Sequence, residues 1–317
     1  TNIAYTSTVF DALVQNPAQT DYKLVKIRDI PQNPTFDVQK FESLLDNFQT
    51  KCDDVFIATY VKAGTTWTQQ IVHLLLRKGE SGGFYGESVP WLEAVCSDML
   101  SSREAPTWTL EKIIATERRR YFKTHATVEH LPGVTNPNSK SPKIIYVARN
   151  PKDTVVSLYH HAKSKPEFEY TGDFNTFCTL FLTGNVENGS WFQHVLDWYK
   201  LAQSEPDRHL FLHYETMCDD PAAAVRRIVK FLDLDTSEEV IQKVVANSTI
   251  GEMRVSASIG LNHLRQGGYG GWRSMFTVAM SELFDDVYRM KMDQSKASWP
   301  LLQFNFGVNS LGQPVIM

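Results

Sequence analysis

The sequence has few of the residues that usually hold a metal ion or a disulfide framework. It includes nine histidines but no H-E-x-x-H motif, and its cysteines form no C-x-x-C pair. Widely spaced cysteines fit free thiols better than disulfides or a zinc site. We therefore expect no metal cofactor. The four cysteines are Cys52, Cys96, Cys178 and Cys218.

Long apolar runs and a strong charge imbalance are also missing. No stretch approaches the roughly 20 apolar residues of a membrane helix, and the first residues carry no signal-peptide pattern. The formal charge of −4 gives no reason to expect nucleic acid as a partner. With 42% hydrophobic and 21% charged residues, the chain has an ordinary globular composition. These features favour a cytoplasmic protein that binds neither membrane nor nucleic acid.

The most informative stretch runs from residue 55 to residue 67. Residues 55–60 are mainly β-branched and aromatic, which predicts a buried strand. Gly64 permits a tight turn, and a helix is predicted to begin at Thr65 or Thr66. A helix N-terminus with Lys62 beside it suits a phosphate group. The alternative is an ordinary turn with a solvated lysine.

The full Walker pattern, G-x-x-x-x-G-K-[ST], is absent from this stretch. A nucleotide kinase that uses ATP and Mg²⁺ is therefore only an alternative interpretation. No metal-holding acid can be identified in the sequence to support it.

Predicted strands alternate with predicted helices along the chain. Further strands are expected at 121–125, 143–148 and 209–213, and helices near 174–183, 190–204 and 220–232. This order predicts a single α/β domain with a central parallel sheet flanked by helices. Residues 1–50 would wrap the domain, 51–290 would form the catalytic core and 291–317 a tail. Because ligands bind beyond the carboxyl ends of parallel strands, Lys62, His125 and Arg149 should converge.

Three further motifs carry groups suited to an anion or to proton transfer. Arg149 follows a strand, and Ser157 lies about two helical turns later. An arginine fork suits phosphate, although Arg149 could instead pair with Asp153 at the surface. His125 ends a Lys-Thr-His sequence and could act as a base, or could be a structural histidine. Residues 264–272 are rich in glycine and could turn backbone N–H groups onto an anion, or form a flexible loop.

Together these motifs resemble those of the cytosolic sulfotransferases. That family transfers a sulfuryl group from 3′-phosphoadenosine 5′-phosphosulfate (PAPS) to a hydroxyl or amine. Residues 59–67 resemble its TYPKSGTTW loop, with Val61 for proline and Ala63 for serine, so the backbone N–H at position 63 is retained. Residues 265–272 resemble its R-K-G-x-x-G-x-W segment, with Gln266 for lysine.

The resemblance implies a role for each matching residue. His125 would be the catalytic base, with His130 as a rival placement, and Lys62, Lys123 and Ser157 would also be catalytic. The acceptor is predicted to be a small, apolar or aromatic hydroxyl compound in a pocket lined by Phe84, Tyr85, Trp91, Lys123, His125, His161 and the 254–264 loop. PAPS would be bound by Lys62, Ala63, Gly64, Thr65, Thr66, Trp67, Arg149, Ser157, Tyr214, Ser248, Thr249, Met253, Arg265, Gln266 and Gly267.

The resemblance extends to assembly and leaves one further alternative open. Residues 273–282, from Arg273 to Glu282, resemble the family's K-x-x-x-T-V-x-x-x-E dimerisation segment, which implies a homodimer. The substitutions Val61, Ala63 and Gln266 raise the alternative of a catalytically impaired protein that binds a nucleotide or an apolar ligand.

Overall fold

A computed structural model describes residues 3–15, 20–101, 108–133, 136–256, 267–293, 306–308 and 314–316. The described strands are β1 (Val25–Ile27), β2 (Ile30–Gln32), β3 (Val55–Thr59), β4 (Tyr121–Thr124), β5 (Lys143–Ala148), β6 (His209–His213), β7 (Phe306–Val308) and β8 (Pro314–Ile316). The described helices are α1 (Ile3–Gln15), α2 (Val38–Asn47), α3 (Thr65–Leu76), α4 (Tyr85–Ser88), α5 (Asp98–Ser101), α6 (Leu110–Ile114), α7 (Pro151–Ser164), α8 (Phe174–Thr183), α9 (Trp191–Ser204), α10 (Tyr214–Asp219), α11 (Pro221–Leu232), α12 (Glu238–Asn247), α13 (Ile250–Ser256) and α14 (Val278–Asp293). Short 3-10 turns cover Leu92–Cys96, Pro166–Phe168 and Gly271–Ser274.

Four strands form the central parallel sheet, in the order β4-β3-β5-β6. Every residue of β3 is buried, as expected for a strand covered on both faces. The register pairs Val55 with Tyr121 on one side and with Lys143 on the other. The parallel sheet flanked by helices confirms the fold class predicted from the sequence.

Alternate residues of the strands supply two hydrophobic clusters, one on each face of the sheet. On one face, Phe56 and Tyr146 pack with side chains of α7, α8, α9 and α14. On the other face, Ile57 and Ile145 pack with side chains of α3, α10, α11 and α12. Each strand therefore stays in register because a shift by one residue would exchange the two faces.

The chain changes direction across the sheet at β3. It passes from β3 to β4 on one side and then returns to β5 on the other side. The carboxyl ends of these three strands lie at one edge, where α/β sheets form their binding crevices. Lys62, His125 and Arg149 follow these ends.

The segments around the sheet are fixed by a helix cap and by packing against the core. α7 begins at Pro151 with Asn150 as its N-cap, and the Asn150 side chain accepts a hydrogen bond from Lys152 N. The N-terminal segment contains the β1–β2 pair and α2, which places Phe41 in the core. The boundaries predicted between wrap, core and tail stay a prediction.

Candidate active site

The loop between β3 and α3 is a tight turn with positive φ angles. Lys62 and Gly64 have φ of 69° and 101°, and Gly64 is the N-cap of α3. A Cβ atom on Gly64 would lie 2.6 Å from Cδ2 of Tyr214, so only glycine fits this position. The N–H of Ala63 donates to the carbonyl of Tyr60 at 3.1 Å and closes the turn. The donors left for an anion are the first-turn N–H groups of α3.

Lys62 supplies a positive charge in this loop, and its surroundings do not favour that charge. Burial is the main reason that the pKa of its ammonium is lowered from 10.5 to about 8. The carboxylate of Glu187 acts in the opposite direction, whereas Lys123, Arg149 and Lys165 lower the pKa further. Several cations at a helix N-terminus favour the binding of an anion.

The imidazole of His125 has a defined orientation and tautomer. Its Nδ1 lies 3.0 Å from the carbonyl oxygen of Thr59. Because a carbonyl only accepts, the proton is on Nδ1, and Nε2 is left with a lone pair. Burial, followed by the charge of Lys123, lowers the pKa of His125 well below its usual value. The ring is therefore neutral at neutral pH and can accept a proton at Nε2.

The backbone of His125 is also held in place. Its carbonyl oxygen accepts hydrogen bonds from Nδ2 of Asn188 at 3.2 Å and Nε2 of His194 at 3.1 Å. The other ring nitrogen of His194 lies 2.7 Å from the hydroxyl of Tyr146. These contacts fix the end of β4 relative to α9 and β5, although no local sequence pattern indicates them.

His130, the rival placement for the base, lies in the loop after β4. Its Nδ1 is 2.7 Å from the hydroxyl of Thr127, a contact within its own loop. His130 lines the same pocket as His125. His125, however, has the direct contact with the end of β3, beside the loop that carries Lys62.

Lys123 and Trp91 lie beside His125. The Nζ atom of Lys123 is 4.0 Å from the centre of the Trp91 ring, a cation–π distance. The rings of Trp91 and His125 are 5.7 Å apart and meet edge to face. Ser157 is partly buried in α7, eight residues after Arg149.

The guanidinium of Arg149 joins the loop after β3 to the glycine-rich segment. Nη1 donates to the carbonyl of Lys62 at 3.0 Å, and Nη2 donates to the carbonyl of Gly268 at 3.2 Å. The group lies 4.5 Å from the ring centre of Tyr214, against which Trp67 packs edge to face at 5.6 Å. Nε of Arg149 is buried and has no hydrogen-bond partner. The guanidinium therefore retains one N–H donor for a further acceptor.

Asp153 holds the glycine-rich segment. Its Oδ2 accepts from the N–H of Gly270 at 2.7 Å, and its Oδ1 accepts from the N–H of Trp272 at 3.1 Å. Both carboxylate oxygens are therefore used by the segment. The alternative pairing with Arg149 is not found in the described part of the chain, where the Arg149 guanidinium donates to two backbone carbonyls instead. Sequence reasoning missed this role because the partners are 117 residues or more away.

The neighbouring Lys152 connects α7 to α14. Its Nζ lies 2.7 Å from Oγ of Ser281 and 2.7 Å from Oδ1 of Asp285. The same ammonium lies 4.5 Å from the ring centre of Trp272. The first turn of α7 thus fixes both the glycine-rich segment and α14.

The remaining residues predicted to bind PAPS lie around the start of α13 and in the glycine-rich segment. Ser248 and Met253 are buried, whereas Thr249 is exposed at the start of α13. Gly267 packs against Ile250, where an added Cβ would lie 3.1 Å from Cδ1. The remaining predicted residues, Arg265 and Gln266, lie outside the described residues, as do positions 257–264 of the predicted loop.

A pocket opens beside the imidazole of His125. It is small and partly open to solvent. Two buried carboxyl groups, Glu93 and Glu187, contribute to its wall, although the sequence predicted an apolar pocket. Its lining consists of Gln32, Phe36, Phe41, Trp91, Glu93, His125, Ala126, His130, Glu187 and Asn188.

Among the predicted acceptor residues that the structure describes, Trp91 and His125 line this pocket. Phe84 and Tyr85 pack against each other, with ring centres 4.6 Å apart, outside its lining. Nε2 of His161 lies 3.8 Å from Oε2 of Glu187, so His161 is next to a lining residue.

The predicted dimerisation segment is on the surface. Arg273 and Glu282 are exposed, and Val278 is 76% exposed. The Arg273 guanidinium stacks on Trp272 at 4.8 Å and contacts the carbonyl of Gly270 at 3.4 Å. The segment therefore adjoins the glycine-rich residues held by Asp153.

All four cysteines are free thiols, as predicted. No group of three or more His, Cys, Asp or Glu side chains in the described part of the chain has the arrangement of a metal site. None of the described helices is both long and apolar enough to cross a membrane.

Comparisons with known proteins agree with this geometry. Sulfotransferase 1B1 of Canis lupus familiaris is 33% identical over 78% of this chain and 86% of its own length. Sulfotransferase 2B1 of Mus musculus is 35% identical over 76% of this chain and 71% of its own length. Both identities apply to most of the chain rather than to isolated motifs.

Solved structures share the fold. The crystal structure of mouse sulfotransferase SULT7A1 complexed with PAP has a TM-score of 0.71 and 28% identity, and the match covers 86% of this chain and 96% of that chain. Retinol dehydratase in complex with androsterone and the inactive cofactor PAP has a TM-score of 0.70 and 20% identity. The match covers 92% of this chain and 96% of that chain. The profile of the family described as "Sulfotransferase domain" matches residues 52–296. The resemblance seen in the sequence is thereby confirmed, and the chain belongs to the sulfotransferase family, whose enzymes transfer sulfuryl groups.

Proposed function

We propose that the protein transfers the sulfuryl group of PAPS directly to a hydroxyl group of a small acceptor. The single observation that carries this proposal is the cation cluster at the carboxyl ends of β3, β4 and β5. Lys62, Lys123 and Arg149 converge there, and their mutual repulsion contributes to the low pKa of Lys62. A doubly phosphorylated nucleotide would neutralise these charges.

The residues present fit such a nucleotide. The buried Nε of Arg149 needs an acceptor, and the turn at Gly64 allows an anion to approach the first N–H groups of α3. Arginine suits a phosphate because its donors are planar and fixed. We assign the 5′-phosphosulfate to Lys62, Gly64, Thr65 and Thr66, with Ala63 closing the turn that presents them. The adenine is assigned to Trp67, Tyr214, Ser248, Thr249 and Met253, and the 3′-phosphate to Arg149, Ser157, Arg265, Gln266 and Gly267.

In this proposal the protein contributes position, charge and a proton acceptor. PAPS supplies the sulfuryl group when bound. Nε2 of His125 takes the proton of the acceptor hydroxyl, because Nδ1 is already protonated toward Thr59. Lys62 and Lys123 stabilise the negative charge on the transferring group and on the leaving phosphate. Ser157 restrains Lys62 before the acceptor arrives.

The pocket beside His125 supports a small organic acceptor. Its walls include the aromatic rings of Phe36, Phe41 and Trp91, which suit a flat or partly apolar molecule. The acceptor hydroxyl would lie against the imidazole, with the rest of the molecule against this aromatic wall.

A transfer assay tests this function. The protein is incubated with ³⁵S-labelled PAPS and a panel of phenols, alcohols and amines, and the labelled products are separated. Transfer to at least one hydroxyl compound is expected. If no acceptor is labelled while PAP still binds in calorimetry, the protein is a nucleotide binder of this fold rather than an enzyme.

We also propose a cytoplasmic homodimer that pairs through residues 273–282. Its free thiols suit a reducing compartment, and the exposed Val278 lies at the centre of the segment. Sedimentation and imaging of a tagged chain would test assembly and location separately.

A further inference from the structure

Two buried carboxyl groups line the pocket beside His125. Glu93 is 2% exposed and Glu187 is 4% exposed. Oε1 of Glu93 accepts a hydrogen bond from the hydroxyl of Thr124, but its Oε2 is buried without any partner. Oε2 of Glu187 also has no hydrogen-bond partner, and Nε2 of His161 lies beyond hydrogen-bond distance at 3.8 Å.

Such oxygens are unusual inside a protein. An unsatisfied buried polar atom costs free energy, and a buried carboxylate costs more because it loses its hydration. Burial raises the pKa of both Glu93 and Glu187 to about 7. A hydrogen-bond donor with a positive charge would satisfy both oxygens and favour their ionised form.

The lysines of the site are not available for this purpose once the donor nucleotide is bound. In the protein without nucleotide, the positive charges of Lys62 and Lys123 lower the pKa of Glu187. Under the proposed function, both ammonium groups act on the phosphosulfate instead. The nucleotide then compensates the ammonium charges, and their favourable effect on the two carboxyl groups is weaker.

The other walls of the pocket suit the same kind of ligand. The rings of Phe36, Phe41 and Trp91 form an aromatic wall, in which the Phe36 ring centre lies 4.9 Å from that of Phe41 and 5.6 Å from that of Trp91. Aromatic faces stabilise an organic cation as well as an apolar ring. An acceptor with an aromatic body and a protonated nitrogen matches both features.

We propose that Glu93 and Glu187 form a subsite for a protonated nitrogen of the acceptor, so that the preferred acceptors are cationic hydroxyl compounds. This inference rests on the proposed function, because it takes the pocket beside His125 as the acceptor site. It changes the expected acceptor from an apolar molecule to one with an amine or guanidine group.

Binding of two matched phenols tests the subsite without requiring turnover. Tyramine and 4-propylphenol have the same reacting hydroxyl, but the ammonium of one is replaced by a methyl group in the other. Dissociation constants are measured by calorimetry with the protein saturated with PAP. Glu187→Gln and Glu93→Gln should each reduce the preference for tyramine by about 10- to 100-fold, the effect of losing a charged hydrogen bond.

A third buried glutamate provides the control. Glu215 is fully buried, has an unpartnered Oε2 and has a pKa raised to about 7 by burial, but it does not line the pocket. Glu215→Gln should leave the ratio of the two dissociation constants unchanged. Thermal unfolding of each variant checks that it is folded.

The outcomes separate the two proposals. An unchanged ratio in both pocket variants overturns the subsite, even if labelled PAPS shows that the enzyme transfers sulfuryl groups. A reduced ratio supports the subsite, even if no transfer is detected and the proposed function fails. If both variants fail to fold, the wild-type protein decides: tyramine must bind at least about tenfold more tightly than 4-propylphenol, and equal or weaker binding overturns the inference.

Discussion

Binding of PAP should be coupled to the uptake of a proton by Lys62. In the ligand-free protein, burial holds the pKa of this lysine at about 8 rather than 10.5. A phosphate beside the ammonium should return the pKa to at least its ordinary value, because an opposite charge favours the charged form. Above pH 8, each nucleotide bound therefore requires protonation of the lysine.

The size of the effect follows from these two values. At about pH 9, roughly 10% of Lys62 is protonated in the free protein and nearly all in the complex, so about 0.9 proton is taken up. At about pH 6.5 the uptake by Lys62 is close to zero. Between about pH 8 and pH 10.5 the affinity for PAP should fall by about 80-fold, equivalent to about 2.6 kcal/mol.

Calorimetry in pairs of buffers measures this uptake. The observed binding enthalpy depends on the ionisation enthalpy of the buffer, and the slope gives the number of protons. Lys62→Arg is the matched control, because an arginine stays charged at pH 9. The reasoning is refuted if the slope at pH 9 equals that at pH 6.5, or if Lys62→Arg shows the same uptake as the wild-type protein.

Three further substitutions test other parts of the site. His125→Gln should lower kcat by about 10²- to 10⁴-fold with PAP affinity nearly unchanged; an equal loss of PAP binding in calorimetry would contradict its role as the base. Gly64→Ala should destabilise the fold by more than about 1 kcal/mol in thermal unfolding, and by more than Gly82→Ala, whose φ is 98° but whose added Cβ meets nothing within 4 Å. Val278→Glu should give monomers in sedimentation with stability changed by no more than about 0.5 kcal/mol, and persistence of dimers would exclude this segment.

The sequence was most informative where a functional residue follows a strand. The positions of Lys62, His125 and Arg149 could be predicted to converge because parallel strands end at one edge of a sheet. The structure brings the end of β3 to His125 and Arg149 through the contacts described above. The strand at 143–148 and the helix at 174–183 also agree with the predicted bounds, since the strand is a nearly continuous apolar run and the helix is capped by Asp173.

Contacts between distant parts of the chain could not be predicted in this way. Thr59 and His125 are 66 residues apart, and Asp153 and Gly270 are 117 residues apart. No periodic pattern relates such pairs, because their contact depends on the packing of complete elements. The acidic character of the pocket was missed because Glu93 is a single acid in an otherwise apolar stretch.

The first turn of α7 has a consequence for assembly. Lys152 and Asp153 attach this helix both to α14 and to the backbone of Gly270 and Trp272. Binding of a second copy of the chain to residues 273–282 and binding of a nucleotide to Arg149 would therefore affect the same unit. That unit consists of α7, α14 and the glycine-rich segment. By thermodynamic reciprocity, any change in nucleotide affinity on self-association must be matched by an equal change in the monomer–dimer equilibrium when nucleotide is added.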